Sequence, residues 1–182
     1  MKKIVILFSG EGKNLHNIIN KLHGNVCEIA CAITNKADAA GLNNLHINSE
    51  VLEHTKFASR EEYDAALVKL INQYEPDLVV LAGFMRILTP VFTSRIKAIN
   101  LHPSLLPKYK GGNAIKESYE SDDEECGISV HWVSEELDGG EVIAQQSFKR
   151  DAQMNFEEFN KRIKELEFEL LPHTITKILY NL

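Results

Sequence analysis

The chain has 182 residues, 44% of them hydrophobic and 25% charged, a size and composition that suit one globular domain over residues 1–182 with a sizeable core. Its formal net charge of -6 argues against general binding to nucleic acid or to an anionic membrane. Three scattered cysteines without a CxxC pair predict reduced thiols and a cytoplasmic location, and no stretch approaches the roughly 18 apolar residues of a membrane-spanning helix.

The first half of the chain alternates apolar strands with amphipathic helices. KIVILF (3–8) is a continuous apolar run, typical of a strand buried on both faces of a parallel sheet. Ser59 with Glu62 fits a capping box that opens a helix. In chain order we predict strand 3–8, helix 14–22, strand 26–34, a short helix over 37–46, a helix from 59 to about 74, strand 77–82, a short helix opened by Thr89-Pro90, and strand 98–101, with 47–57 ambiguous.

The second half has a different pattern. In GISVHWV (127–133), Ile128, Val130 and Trp132 alternate with Ser129, His131 and Val133, and EVIAQQSF (141–148) follows. Both stretches are typical of antiparallel strands added to a parallel core. Asn155 is a candidate cap for a long amphipathic helix, which Pro172 is expected to kink or split. The predicted fold class is therefore α/β: a mostly parallel, Rossmann-like sheet with helices on both faces and added antiparallel strands.

The segment SGEGKN (9–14) lies between the first strand and the first helix. Its glycines let backbone N–H groups approach an anion, and a helix N-terminus favours a phosphate. The third glycine of the dinucleotide fingerprint is replaced by Leu15, which disfavours a nicotinamide cofactor. On this motif alone, an ordinary turn and a monophosphate site are about equally supported.

Two polar groups, Asn100 and His102, end an apolar strand at alternate positions, so they share one face. An amide donor and an imidazole could together stabilise an oxyanion, although a polar strand end that bonds the following turn is the simpler interpretation. Asp138, beside two glycines, is typical of a solvated turn. In its functional version this carboxylate faces His102 and favours the imidazolium. The remaining histidines show no metal-ligand spacing, so no metal is expected, and His131 is either beside the cleft or at an edge.

Six stretches together resemble the folate-dependent glycinamide ribonucleotide formyltransferase family. They occur in the family's order and span most of residues 4–140: IVILFSGEGKNL, ITNKADAAGL, SREEYD, PDLVVLAGFMRILTP, INLHPSLLPKY and GISVHWVSEELDGG. The resemblance implies the formyltransferase fold, transfer of the formyl group of 10-formyltetrahydrofolate to glycinamide ribonucleotide in de novo purine (IMP) biosynthesis, small-molecule partners only, and a monomer or homodimer.

The resemblance also implies roles for particular residues. The catalytic trio falls on Asn100, His102 and Asp138. The ribonucleotide-binding residues are Gly12, Lys13 and Asn14 for the phosphate and Glu167 for the glycinamide end. The residues that hold the formyl-folate co-substrate are Arg60, Met85, Arg86, Ile87, Leu88 and Asn100.

Two departures from the family pattern flank the implied site. The family's SGNGSN loop is SGEGKN here, and we expect Glu11 to point outward while Lys13 offsets its charge. After Tyr109 the family's PGLHA is replaced by Lys110–Ala114, which removes a histidine.

Three alternatives share parts of this pattern. One is another N-formyltransferase, acting on a sugar nucleotide or on methionyl-tRNA; the tRNA enzyme is expected to carry an additional C-terminal domain. The second is a formyltetrahydrofolate hydrolase, which is expected to carry an additional N-terminal domain. The third is a non-enzymatic nucleotide-binding module, which has no reason to keep Asn100, His102 and Asp138 together.

Overall fold

A computed structural model describes residues 1–182, which form a seven-stranded sheet with helices on both faces. The strands are β1 Lys3–Phe8, β2 Glu28–Thr34, β3 Ser49–Val51, β4 Leu78–Leu81, β5 Ala98–His102, β6 Glu125–Trp132 and β7 Val142–Lys149. The helices are α1 Lys13–Leu22, α2 Arg60–Asn72, α3 Pro90–Thr93, α4 Ala114–Glu120 and α5 Phe156–Tyr180. None of these helices combines the length and apolar character that a membrane crossing requires.

The strand order is β3-β2-β1-β4-β5-β6-β7. Strands β1 to β5 are parallel to their neighbours, whereas β6 is antiparallel to β5 and β7 to β6, as predicted. The chain builds outward from β1 to β3 and then returns to the other side of β1 with β4. Ligands of such sheets bind at the carboxyl ends of the strands, where this reversal opens a crevice. The topology therefore points to the loops after β1 and β4.

The two faces of β1 supply two separate apolar cores. Ile4, Ile6 and Phe8 pack under α1 and α5, and Val5 and Leu7 pack under α2 and α3. All five side chains are fully buried, which explains why this strand is a continuous apolar run rather than an alternating one.

The predicted short helix over 37–46 is wrong. Only a 3₁₀ turn forms, at Ala40–Leu42, and Gly41 within it packs so closely against Phe8 and Gly12 that a Cβ would not fit. The ambiguous stretch 47–57 holds β3 and a second 3₁₀ turn, His54–Lys56.

Helix α5 continues through Pro172 rather than splitting there. Proline removes the N–H that would bond the carbonyl four residues earlier, which is that of Phe168. That carbonyl accepts instead from Asn17 Nδ2 at 3.0 Å and Lys21 Nζ at 2.8 Å. Two α1 side chains thus replace the missing helical hydrogen bond, a compensation that only the tertiary structure reveals.

Candidate active site

Two neighbouring cavities open at the carboxyl ends of the parallel strands. The larger, about 390 Å³, is lined by residues that follow β4 and β5 and by the loop between β6 and β7. The smaller, about 250 Å³, is lined by the loop after β1, with Lys36 and Lys164 at its side. Gly83 and Met85 line both cavities. Two ligands bound side by side would therefore meet along this shared wall.

His102 ends β5 in the larger cavity with only 4% of its surface exposed. Its Nε2 lies 2.7 Å from the Tyr109 carbonyl oxygen, and its Nδ1 lies 3.5 Å from Asp138 Oδ2. Both ring nitrogens thus face acceptors. A hydrogen on either nitrogen would therefore have an acceptor within reach.

Asp138 lies in the loop between β6 and β7 and is buried, at 9% exposure. Its Oδ2 accepts a hydrogen bond of 2.8 Å from the Gly111 amide, and its Oδ1 lies 3.6 Å from His131 Nε2. Burial opposes ionisation of this carboxyl, but His131, the Gly111 amide and His102 outweigh it and hold the Asp138 pKa below its usual value. Asp138 is therefore a fixed carboxylate.

His131 connects the other two polar groups of the cavity. Its Nδ1 lies 2.9 Å from the Trp132 carbonyl, which can only accept, so Nδ1 carries the hydrogen. Its Nε2 lies 3.2 Å from Asn100 Nδ2, and His131 is 2% exposed. The Asn100 amide and the Asp138 carboxylate thus both lie near this one nitrogen. His131 thus lies beside the cleft, one of the two positions that its strand pattern left open.

The predicted folate-binding residues divide into two groups. Residues 85–88 follow β4 and line the larger cavity, where the Met85 and Ile87 side chains are 70% and 55% exposed. Exposed apolar side chains at a cavity are typical of a ligand-binding surface. Arg60, by contrast, opens α2 and is exposed outside the cavity lining. The structure does not bring Arg60 together with the other predicted residues.

The smaller cavity depends on the close approach of two glycines. Gly12 has φ +70°, and a Cβ built on it would lie 2.7 Å from the Gly41 Cα. The Gly10 carbonyl accepts from the Gly41 amide at 3.0 Å, and His16 Nε2 bonds the Gly41 carbonyl at 3.1 Å. The loop after β1 is thereby fixed ahead of α1, with the start of the helix facing the cavity.

Charged side chains surround the smaller cavity. Lys13 Nζ lies 3.0 Å from Glu11 Oε2, and both side chains are largely exposed. Glu167 is 3% exposed and accepts at Oε2 from Asn14 Nδ2 at 3.1 Å and from Lys164 Nζ at 3.3 Å. The structure thus brings the four predicted ribonucleotide residues to one place. Asn14 Oδ1 is buried without a partner, which suits a hydroxyl donor of a ligand.

Sequence reasoning did not identify Lys36 and Lys164 at the smaller cavity or the Tyr109 carbonyl on His102. Lys164 precedes Glu167 by one helical turn, a spacing that places the two on one face of the helix and could have identified Lys164.

The altered loop after Tyr109 has its own contacts. Lys110 Nζ lies 2.9 Å from Glu136 Oε1, and the Gly111 amide donates to Asp138. No group of three or more His, Cys, Asp or Glu is arranged to hold a metal ion.

Comparison with known proteins gives a consistent result. Residues 2–175 match the profile of the formyl transferase family. A phosphoribosylglycinamide formyltransferase of Haemophilus influenzae is 42% identical over 182 residues, covering 96% of this chain and 86% of that protein. The trifunctional purine biosynthetic protein adenosine-3 of Gallus gallus is 37% identical over 177 residues, covering 93% of this chain and 18% of that protein.

The same similarity holds in three dimensions. The crystal structure of a phosphoribosylglycinamide formyltransferase from Campylobacter jejuni superimposes with a TM-score of 0.94 at 51% identity, covering 97% of both chains. The seven-stranded sheet with its added antiparallel strands is therefore the formyltransferase fold.

Proposed function

This chain belongs to the formyl transferase family, and on that premise we propose that it transfers the formyl group of 10-formyltetrahydrofolate to the amine of glycinamide ribonucleotide, a step of purine biosynthesis. The relatives named as phosphoribosylglycinamide formyltransferases carry that activity in their names. The observation that carries the proposal is the convergence of Asn100, His102 and Asp138 in a cavity that shares a wall with a second, cationic one.

The larger cavity suits the formyl donor. Its volume of about 390 Å³ lies in the range of small-molecule sites. The backbone of residues 85–88 offers C=O groups, and that of residues 86–88 offers N–H groups, to a pterin edge, while the apolar side chains of Met85 and Ile87 flank the ring. Asn100 and His102 lie deeper in the same cavity, where the formyl group would lie. Arg60 stays outside this assignment because it does not line the cavity.

The smaller cavity suits the acceptor. The backbone at Gly12, Lys13 and Asn14 opens α1, and N–H groups at a helix start bind phosphate well. Lys13, Lys36 and Lys164 line the cavity with positive charge. Glu167 and the unpaired Asn14 Oδ1 can accept from hydroxyl or amine groups of the ribonucleotide.

The proposed chemistry is direct attack without a covalent enzyme intermediate. The neutral amine attacks the formyl carbon, and the resulting oxyanion accepts from the Asn100 amide and from protonated His102. One preorganised donor of this kind contributes roughly 3–4 kcal/mol to lowering the barrier. Asp138 holds His102 charged and oriented. A proton passes from the attacking amine to the departing N10, through His102 or water.

The contact between His102 Nε2 and the Tyr109 carbonyl sets a condition on this mechanism. Because Nδ1 of His102 faces Asp138, Nε2 is the nitrogen that is left to bind the substrate. The formyl oxygen therefore has to replace the Tyr109 carbonyl as the partner of Nε2. Tyr109 is held by its hydroxyl, which donates to Asp123 Oδ2 at 2.7 Å. Substrate binding is therefore expected to shift the main chain at Tyr109 while this anchor persists.

One assay separates the proposal from its alternatives. Turnover of 10-formyltetrahydrofolate is measured with glycinamide ribonucleotide, with an amino-sugar nucleotide, and without an acceptor. Turnover that requires glycinamide ribonucleotide supports the proposal. Equal turnover without an acceptor indicates a hydrolase, and turnover only with the sugar nucleotide indicates the other transferase. An absence of turnover under all conditions, with ribonucleotide bound, indicates a binding module.

Other properties form part of the same proposal. We assign the activity to residues 1–182 acting as one domain, as a monomer or homodimer in the cytoplasm, without nucleic acid as a partner. The three cysteines are buried and unpaired, which supports a reducing location. The net charge of -6 supports the exclusion of nucleic acid.

A further inference from the structure

A chain of hydrogen bonds runs from the surface to the wall between the two cavities. The Met85 amide donates to Ser9 Oγ at 2.8 Å. Ser9 Oγ donates to Asn35 Oδ1 at 2.6 Å, and Asn35 Nδ2 lies 3.1 Å from His54 Nδ1. Ser9 and Asn35 are each 2% exposed, and His54 is half-buried. None of the three side chains belongs to the reacting trio.

The direction of every bond in this chain is fixed. A backbone amide can only donate, so Ser9 Oγ accepts from Met85. The Ser9 hydroxyl hydrogen then goes to Asn35 Oδ1, the acceptor that the structure gives it. The Asn35 amide nitrogen therefore faces His54, and His54 Nδ1 has to accept. An acceptor at position 54 is consequently the condition for an intact chain.

This series of hydrogen bonds joins the ends of three neighbouring parallel strands. Ser9 follows β1, Asn35 follows β2, and Met85 lies after β4. The Ser9 amide also donates to the Gly83 carbonyl at 3.0 Å, so Ser9 holds both residues that the cavities share. Lys36, next to Asn35, lines the smaller cavity. Disturbing the chain would therefore displace groups of both cavities together.

We propose that Ser9, Asn35 and His54 are positioning residues that hold the shared wall at Gly83 and Met85 and so set the affinities for the formyl donor and the ribonucleotide jointly. This inference rests on the proposed function. His54 contributes as a fixed acceptor at the outer end, and its ring packs perpendicular to that of Tyr63, with the two ring centroids 6.4 Å apart.

The test compares His54→Leu with His54→Asn in the full-length protein. Asparagine can place an oxygen where Nδ1 lies, whereas leucine fills the space without an acceptor. His54→Leu is expected to raise the KM for both substrates at least threefold, with kcat less affected, and to accelerate hydrogen exchange of the Met85 amide at least tenfold. His54→Asn is expected to stay within twofold of the wild type in both KM values, in kcat and in the Met85 exchange rate. Should His54→Leu not fold, Ser9→Ala breaks the chain at its other end and is expected to give the same pattern.

Equal behaviour of the leucine and asparagine variants would overturn the inference, because an acceptor would then be irrelevant. A change in only one of the two KM values would also overturn it. The Met85 exchange rate needs no turnover, so it is informative even if the wild type fails to use glycinamide ribonucleotide. Failure of the wild-type assay would count against the proposed function, whereas a wild-type exchange rate in His54→Leu would count against the hydrogen-bond chain.

Discussion

His102 Nδ1 lies 3.5 Å from Asp138 Oδ2, although one residue ends β5 and the other lies in the loop between β6 and β7. In the antiparallel pairing of β5 with β6, Ser129 is opposite His102 and Trp132 is opposite Ile99. Strand β6 therefore ends near the start of β5, and the loop that follows it folds back along β5 to place Asp138 beside the ring. The loop that joins the two antiparallel strands thus places a carboxylate beside a histidine at the end of a parallel strand.

Asp138→Asn is predicted to alter the pH dependence of stability. The Asp138 pKa is lowered in the folded protein from an unfolded value of about 3.9. Its ionised form thus stabilises the fold above about pH 4, and this contribution is lost as the pH falls through the lower folded pKa. The free energy of unfolding, measured in urea from pH 7 to pH 3, is expected to fall more steeply below about pH 4 in the wild type than in the variant.

Plotted against pH, the free energies of unfolding of the wild type and the variant should run parallel above about pH 5, where Asp138 is ionised in both the folded and the unfolded protein. A difference between them that stays constant down to pH 3 would show that the folded and unfolded pKa values of Asp138 are the same, and so would count against the ring-carboxylate arrangement.

Gly12→Ala is predicted to destabilise the protein by more than about 2 kcal/mol. The new Cβ would lie 2.7 Å from the Gly41 Cα at a residue with φ +70°. Gly10→Ala is the matched control, because a Cβ there meets nothing within 4 Å and should change stability by less than about 0.5 kcal/mol. Thermal unfolding of both variants provides the measurement, and equal losses would show that the glycine contact does not shape the loop.

Lys13→Ala is predicted to raise the KM for glycinamide ribonucleotide roughly threefold to tenfold, as expected for one charge-assisted contact worth ~1 kcal/mol, with little change in kcat. Glu11→Gln should have the opposite sign, because it releases Lys13 from the 3.0 Å ion pair and removes a negative charge near the phosphate. The KM for glycinamide ribonucleotide is measured for both variants by steady-state kinetics at low and high salt. An unchanged KM in Lys13→Ala would place the phosphate elsewhere.

His131→Leu is predicted to lower kcat roughly tenfold to a hundredfold, a loss of the size expected when groups that stabilise an oxyanion are no longer held in position. The substitution removes the ring that contacts both Asn100 and Asp138. The ring lies 3.2 Å from Asn100 Nδ2 and 3.6 Å from Asp138 Oδ1. His46→Leu, at an exposed histidine, controls for the loss of an imidazole. A kcat for His131→Leu that matches the control would leave His131 with no part in the site.

The regular parts of the fold were predictable because their signals are local. The Ser59 side chain caps α2 by accepting from the Glu62 amide at 3.1 Å. Asn155 caps α5 as predicted, and with Glu158 it forms a full capping box. Continuous apolar runs identified β1 and β4 because a strand covered on both faces needs apolar side chains on both. These features depend on a few neighbouring residues.

What could not be predicted depends on distant partners. In helix α5, side chains of α1 satisfy the Phe168 carbonyl that Pro172 leaves without its helical partner. Gly41 packs against Gly12, a residue distant from it in the sequence. At the candidate site, the trio was named from spacing and family resemblance, but its distances, and the hold of Tyr109 on His102, come from tertiary packing.

The most direct measurement is formyl transfer by His102→Ala alongside its affinity for glycinamide ribonucleotide by calorimetry. If His102 acts on the formyl oxyanion, transfer falls by about 10²–10⁴-fold while the dissociation constant of the ribonucleotide stays near that of the wild type. A parallel loss of binding and transfer would contradict this role and leave His102 as a structural residue of the β5 end.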